Sequence, residues 1–112
     1  MKYSIIFAYS NRNKMRVISF STIREFFDKE PRSAVPLKLW FKKVQKAKWD
    51  SFSEMKNTFN STDPVGNQRY VFDIAGNHYR LVAKVLFNAK IVYIRFVGDH
   101  NAYNKIRDIK NI

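Results

Sequence analysis

The spacing of the apolar residues changes at Arg69, and this change constrains the fold more than any other feature. Before Arg69 they recur at every third or fourth position, and from Arg69 onward at every second position. Three such segments, 69–74, 79–87 and 91–97, are separated by short turns rich in Asn, Gly and Ala. A period of two is typical of strands, because successive side chains of a strand point to opposite faces of its sheet. Short turns join antiparallel neighbours. The sequence therefore predicts a three-stranded antiparallel meander.

Two helices are predicted before this meander. The first begins at a capping-box pattern, Thr22–Glu25, and ends before Pro31. The second begins near Ser33 and has Pro36 in its first turn. The apolar residues of both recur at the spacing of one helical face. They are Ile23, Phe26 and Phe27 in the first helix, and Leu37, Trp40, Phe41 and Val44 in the second.

This order of elements predicts an α+β fold. The two N-terminal helices are expected to pack on one face of an antiparallel sheet and to leave its other face free. The polar segment 48–68 is predicted as a loop with at most one helical turn, at 53–56. The tail, 99–112, is predicted as a short polar helix.

The 112 residues suit one domain, and the predicted core lies within residues 15–112. Residues 1–14 contain one further predicted strand, Tyr3–Tyr9, followed by a basic stretch. This segment is either an N-terminal extension or the result of a mis-called start, in which case Met15 is the first residue.

The charge balance indicates a polyanionic partner. The chain has 21 Lys and Arg against nine Asp and Glu, a formal net charge of +12. An anionic membrane would also attract such a chain, but its apolar runs are too short for a membrane span or a signal peptide. The absence of cysteine fits the reducing cytoplasm. These features favour a cytoplasmic protein that binds nucleic acid and no membrane.

Strand alternation is expected to gather several cations on the free face of the sheet. Arg80 and Lys84 share the outward side of the middle strand, and Arg69 points the same way from the first strand. His100 and Tyr103 follow the last strand and reach the rim of this surface. The last strand is expected to turn Val92, Ile94 and Phe96 toward the helices and Tyr93, Arg95 and Val97 toward the free face.

These residue types can cleave RNA without a metal ion or another cofactor. The reaction needs a base for the 2′-hydroxyl proton, an acid for the departing 5′-oxygen, and cations for the charge that builds at phosphorus. Imidazole titrates near neutrality, guanidinium groups match phosphate oxygens, and a tyrosine can stack a base or assist proton transfer. The candidate catalytic residues are Arg80, Arg95, His100 and Tyr103. The candidate RNA-binding residues are Arg69, Lys84, Tyr93, Lys42 and Lys46.

Several runs resemble the successive signatures of HigB-type toxins of the RelE superfamily, over about Met15 to Ile106. The most specific are Gly76–Val82 (GNHYRLV) and Arg95–Tyr103 (RFVGDHNAY), although Asp99 stands where the family often has Thr. The weaker matches are Arg16–Ser19, Arg24–Phe27, Leu37–Lys42 and Val65–Ile74.

This resemblance implies a RelE-like fold and an endoribonuclease, an mRNA interferase, that cleaves mRNA on the translating ribosome. It also implies neutralisation by a helix-turn-helix antitoxin encoded in the adjacent gene.

Two other classes of protein remain open on the residues alone. A non-catalytic RNA-binding module would use the same cations and tyrosines and would leave RNA intact. A DNA-binding protein would need a recognition helix, and the second predicted helix is the only candidate, although its regular apolar face suggests that it packs on the sheet. Arginines on a strand and lysines on a helix also commonly serve only as a solvated surface.

Overall fold

The computed structural model describes residues 14–112 and has an α+β architecture. The strand predicted at Tyr3–Tyr9 lies outside these residues. The strands are β1 (Arg16–Ile18), β2 (Asp63–Gly66), β3 (Arg69–Ile74), β4 (Tyr79–Leu86) and β5 (Ile91–Asp99). The helices are α1 (Phe20–Lys29), α2 (Ala34–Lys46), α3 (Phe52–Thr58) and α4 (His100–Asn104), with short 3-10 turns at Pro31–Ser33 and Ile109–Asn111.

The five strands form one mixed sheet in the order β1-β5-β4-β3-β2. The predicted meander is confirmed, because β3, β4 and β5 pair as antiparallel neighbours. The prediction of a wholly antiparallel sheet is wrong, since β1 pairs parallel with β5, with Arg16 opposite Ile91. Parallel neighbours need a long crossover, and the chain between β1 and β5 provides it.

The core lies between the sheet and the helices α1 and α2, on what we call the helix face. Ile23, Leu37 and Leu81 are fully buried there, and burial of each such side chain stabilises the fold by about 2 kcal/mol. The Trp40 ring meets the Phe72 ring edge to face, with 5.2 Å between the ring centroids. No helix in residues 14–112 is long and apolar enough to cross a membrane.

The start of α1 differs from the prediction. The helix begins at Phe20, and its N-cap residue, Ser19, has φ of 72° and caps no amide with its side chain. Thr22 lies within the first turn, so the capping box predicted at Thr22–Glu25 is wrong. The reason is packing, because Phe20 joins the apolar face and its ring centroid lies 4.4 Å from that of Phe41. The second helix is confirmed, with Pro36 in its first turn.

The segment predicted as a loop, 48–68, contains a helix and a strand. Ser51 caps α3 by accepting a hydrogen bond from the Glu54 amide, at 3.3 Å. Glu54 in turn accepts from the Asp50 amide, at 2.8 Å. This is a nearly reciprocal capping arrangement, a local signal that the prediction did not use. The strand β2 then pairs with β3 and becomes the edge of the sheet.

A bulge in β5 changes which side chains face the helices. Val82 lies opposite Phe96 whereas Ala83 lies opposite Ile94, so Arg95 is an extra residue in the ladder. Beyond this bulge the alternation reverses, and Val97 packs toward the core. The predictions that Val97 faces outward and that Phe96 faces the helices are therefore wrong.

The other face of the sheet is partly covered. The short helix α4 packs beside β4 and β5, and the turn at Ile109–Asn111 lies beside β2 and β3. The prediction of a wholly free face is therefore wrong, because the C-terminal tail folds back over it. The predicted helix in this tail is confirmed only for His100–Asn104.

Candidate active site

Four cations lie on the face of the sheet away from α1 and α2, which we call the cationic face. Arg69 lies directly opposite Lys84 on the neighbouring strand, and Arg80 lies directly opposite Asp73. Residues directly opposite in an antiparallel pair share a face, and residues two apart along a strand do so too. Arg95 joins this face at the bulge of β5.

Arg80 is held in place by several contacts. Its Nε lies 3.1 Å from Oδ1 of Asp73, and its Nη2 donates to Oδ1 of Asn77 at 3.1 Å. Its Nη1 lies within hydrogen-bond distance of the main-chain oxygens of Tyr79 and Asn77. Only 12% of the side chain is exposed. Asp73 and Asn77 were not predicted as site residues. Two signals could have identified them: Asp73 lies opposite Arg80 in the strand register, and Asn77 lies in the turn just before β4.

Tyr103 lies against this arginine. The Cζ of Arg80 is 5.9 Å from the centroid of the Tyr103 ring, a cation–π contact. Tyr103 also lies near Phe96, with 6.4 Å between the ring centroids. The tyrosine is half-buried and therefore keeps part of its surface open to a ligand.

The helix α4 brings His100 to the same end of the face. Asp99 caps this helix by accepting a hydrogen bond from the Ala102 amide at 2.8 Å, so the residue that departs from the family pattern has a structural role here. His100 and Tyr103 are three residues apart and lie on neighbouring positions of one helical surface. His100 is exposed, and its Nδ1 lies 3.1 Å from Nδ2 of Asn104.

Gly98 makes this arrangement of α4 sterically feasible. A Cβ atom at this position would lie 2.5 Å from Cζ of Phe96 and 3.2 Å from Cβ of Ala102. A glycine therefore lets the Phe96 ring and α4 lie close to the strand. We did not predict this role, which depends on the bulge that turns Phe96 outward.

We call Arg80, His100 and Tyr103, with Asp73 and Asn77 behind the arginine, the Arg80 cluster. The structure does not bring Arg95 into it. Arg95 and Arg69 instead converge at the other end of the face, where both donate to the main-chain oxygen of Ile112. Lys84 and Tyr93 are also at this end, half-buried and directly opposite each other on β4 and β5.

Lys42 and Lys46 lie on the other side of the molecule. Both are exposed on α2, which packs on the helix face. They share the outer surface of that helix with Val35 and Leu39, which are 67% and 55% exposed. Lys46 also lines a groove of about 500 Å³ between the end of α2 and α3. Any RNA contact of these lysines is therefore separate from the Arg80 cluster.

The chemistry available at the Arg80 cluster comes from a guanidinium, an imidazole and a phenol. A guanidinium carries five N–H donors, and the contacts within the chain leave Arg80 at least one of them for a ligand. Within residues 14–112 no three His, Asp or Glu side chains lie together in an arrangement that could hold a metal ion.

Comparison with known proteins places these residues within a family. The model of the HigB toxin family, described as the RelE-like toxic component of a toxin–antitoxin system, matches residues 33–106. An mRNA interferase HigB of Escherichia coli O6:H1 is 27% identical over 94 residues, which are 82% of this chain and 91% of that protein. The mRNA interferase toxin HigB of Escherichia coli K12 and a HigB of Shigella flexneri are each 28% identical over 92 residues, which are 80% of this chain and 88% of theirs.

Proposed function

The chain belongs to the HigB family of RelE-like toxins, and on this premise we propose that it is an endoribonuclease that cleaves mRNA. The observation that carries the proposal is the Arg80 cluster. A fixed guanidinium lies against Tyr103 and beside the helix of His100, on the cationic face of a chain with a net charge of +12. The whole cluster lies within the segment that matches the family.

The proposed reaction is attack of an RNA 2′-oxygen on the adjacent phosphorus. His100 takes the proton of the 2′-hydroxyl, the 2′-oxygen bonds to phosphorus, and the bond from phosphorus to the 5′-oxygen breaks. Tyr103 gives a proton to the departing 5′-oxygen or stacks on the neighbouring base. Arg80 stabilises the negative charge that builds on the phosphate oxygens. The products are a 2′,3′-cyclic phosphate and a 5′-hydroxyl.

The contacts around Arg80 suit this role. A guanidinium fixed before the substrate binds does not have to be oriented during the reaction, which is the advantage of a preorganised site. Asp73 holds Nε, and Asn77 holds one side of Nη2, so that the remaining hydrogen of Nη2 is free to meet a phosphate oxygen. The neighbouring Tyr103 ring provides a surface for an unpaired base.

The role of His100 depends on Asn104. With the amide nitrogen of Asn104 directed at Nδ1, a neutral imidazole carries its hydrogen on Nε2. For Nε2 to act as a base, the amide of Asn104 must present its oxygen, which then accepts the hydrogen of Nδ1. The proposed mechanism therefore includes a flip of the Asn104 side-chain amide, which exchanges its nitrogen and oxygen.

The proposal extends to the cellular setting. We propose a RelE-like fold, a cytoplasmic site of action, cleavage on the translating ribosome, and neutralisation by a helix-turn-helix antitoxin encoded in the adjacent gene. The support is the match to the toxic component of a toxin–antitoxin system. We further propose that residues 15–112 are the toxin domain and that residues 1–14 are an extension or lie before the true start.

The test is cleavage of a defined mRNA by the purified chain. The RNA is incubated alone and on ribosomes that are translating it, and product ends are mapped. We expect cleavage that Arg80→Ala slows by about a hundredfold and that Arg107→Ala, which removes an exposed arginine outside the site, leaves intact. RNA that is bound but remains whole in both arms would identify a non-catalytic RNA-binding module instead. Induced expression of the chain alone is expected to stop growth and deplete mRNA.

A further inference from the structure

Two arginines of the cationic face converge on one oxygen atom. Arg69 donates to the main-chain oxygen of Ile112 from Nε at 3.2 Å and from Nη2 at 2.7 Å. Arg95 donates to the same oxygen from Nε at 3.0 Å. Ile112 is the last residue of the sequence, so this oxygen belongs to its carboxylate, and the two planar cations hold an anionic group here as they could hold a phosphate.

Arg69 is an unusual residue to find in this position. It is only 8% exposed, and no Asp or Glu side chain in the described part of the chain pairs with it. Burial of a cation costs free energy unless an anion pairs with it, and the carboxylate of Ile112, the last residue of the sequence, is that anion here. The side chain instead directs its donors to main-chain oxygens of Ile112 and Asn67. If the tail left, Arg69 would be buried without an anionic partner, and an RNA phosphate could take the place of the carboxylate.

We propose that Arg69 and Arg95 form a second phosphate-binding site, the arginine clamp, which holds the RNA backbone beside the cleavage point. In this proposal the C-terminal tail occupies the clamp when RNA is absent. The inference rests on the proposed function, because it assigns a second contact to the same RNA. It also gives Arg95 a role in binding RNA, with the chemical step left to the Arg80 cluster.

The position of the clamp suits one RNA strand that crosses the face. Asp73, the residue opposite Arg80, is four residues from Arg69 on β3, which corresponds to about 13 Å along a strand. Lys84 lies between Arg69 and Tyr93 in one row across β3, β4 and β5. A cation and an aromatic ring beside the clamp are the groups that bind phosphate and base of a single strand.

The tail is held in a way that allows it to leave. Its turn at Ile109–Asn111 contains no buried residue. Apart from the arginines, its side-chain hydrogen bonds to the sheet come from Asn67, whose Nδ2 lies 3.2 Å from the Lys110 oxygen and 3.3 Å from Oδ1 of Asn111. Exposed segments with few contacts open at low free-energy cost. The clamp lies within the family-matched residues 33–106, whereas the end of the tail lies beyond them.

The experiment measures binding of the full chain to a single-stranded 2′-O-methyl RNA by fluorescence anisotropy over a range of salt concentrations. This RNA has no free 2′-hydroxyl, so binding is separated from cleavage. We expect Arg95→Ala to raise Kd about tenfold and to reduce the salt slope by about 0.7, the value for one lost phosphate contact with a single strand. Arg107→Ala is the matched control, since Arg107 is exposed in the tail and makes no hydrogen bond or ion pair within the described residues.

A second variant tests the tail itself. Asn67 has φ of 49° in the turn between β2 and β3, so Asn67→Gly keeps the backbone geometry while it removes the side chain that holds the tail. We expect this variant to bind the RNA about threefold more tightly. Weaker or unchanged binding by Asn67→Gly, or an effect of Arg95→Ala no larger than that of Arg107→Ala, would overturn the clamp. Cleavage of unmodified RNA is assayed in parallel, so loss of the nuclease proposal and loss of the clamp give different results.

Discussion

The guanidinium of Arg80 and the carboxylate of Asp73 lie directly opposite each other on β4 and β3, with 3.1 Å between Nε and Oδ1. The carboxylate orients the cation, and it also offsets part of the charge that the cation would offer to a phosphate. Substitutions at Arg80 and Asp73 can therefore separate the effect of the guanidinium's orientation from the effect of its charge.

Arg80→Ala is expected to slow cleavage at saturating RNA by about a hundredfold, equivalent to about 2.7 kcal/mol of lost transition-state stabilisation. Arg80→Lys should recover only part of this rate, because lysine keeps the charge but loses the planar donors. Asp73→Asn should tighten RNA binding while it slows the reaction, since the charge rises and the orientation loosens. Single-turnover rates at several RNA concentrations measure both effects, and an unchanged rate for Arg80→Ala would exclude this arginine from the site.

His100→Ala and Tyr103→Ala are expected to weaken cleavage without unfolding the protein, because His100 is exposed and Tyr103 is half-buried outside the core. Tyr103→Phe separates the two roles of the tyrosine: it should retain activity if the ring stacks a base and lose it if the hydroxyl moves a proton. Product ends should be a 5′-hydroxyl and a cyclic or open 3′-phosphate, and a chelator should have no effect. A thermal melt of each variant provides the control for folding.

Gly98→Ala is expected to displace α4, because the new methyl group would lie 2.5 Å from the Phe96 ring. We expect a loss of about 1–3 kcal/mol of stability, typical of overpacking, and a loss of cleavage comparable to that of Tyr103→Ala. Phe96→Leu added to Gly98→Ala should restore part of both by making room for the methyl group. Full activity of Gly98→Ala alone would show that the site tolerates a shift of α4.

Lys42→Glu combined with Lys46→Glu is expected to raise the KM for RNA more at low salt than at high salt, because both lysines are exposed and their attraction is screened. Arg24→Glu combined with Lys29→Glu is the control, since both residues are exposed on α1 and the pair changes the net charge by the same amount. Equal effects at the two places would mean that only the net charge matters. A loss of rate at saturating RNA would contradict the separation of α2 from the Arg80 cluster.

A chain that starts at Met15 is expected to fold and act like the full chain. The Met15 side chain is buried, its amide donates to the Ala47 oxygen at 2.9 Å, and β1 follows at once. Thermal melts and cleavage assays of the two chains test this. An insoluble or inactive shortened chain would show that residues 1–14 contribute to the domain.

The regular elements with strong local periodicity could be predicted from the sequence. These patterns depend only on residues a few positions apart in the sequence. They include the apolar faces of α1 and α2, the alternation of β3, β4 and β5, and the turns between these strands. The whole of helix α3 could also have been predicted, because Ser51 and Glu54 have the three-residue spacing of a capping box. Only one turn of it, at 53–56, was predicted, because the polar composition of segment 48–68 resembles a loop.

The pairing of strands that lie far apart in the sequence could not be predicted from such local patterns. No local pattern distinguishes a parallel β1 beside β5 from a separate short strand, since the choice depends on how the intervening helices return the chain. The bulge at Arg95 is a second case. One extra residue in β5 turned Phe96 outward and Val97 inward, because every side chain beyond a bulge changes face.

By itself, the sequence determined the strong positive charge, the α+β order of elements, and the side of the sheet that Arg69, Arg80 and Lys84 share. Charge and alternation are local properties, so they can be read without a fold. Only the tertiary structure decided which partners these cations meet. Arg80 meets Tyr103, and Arg69 meets Ile112, because strand register and the returning tail bring together residues that lie far apart in the chain. The same long-range packing separated Arg95 from the Arg80 cluster.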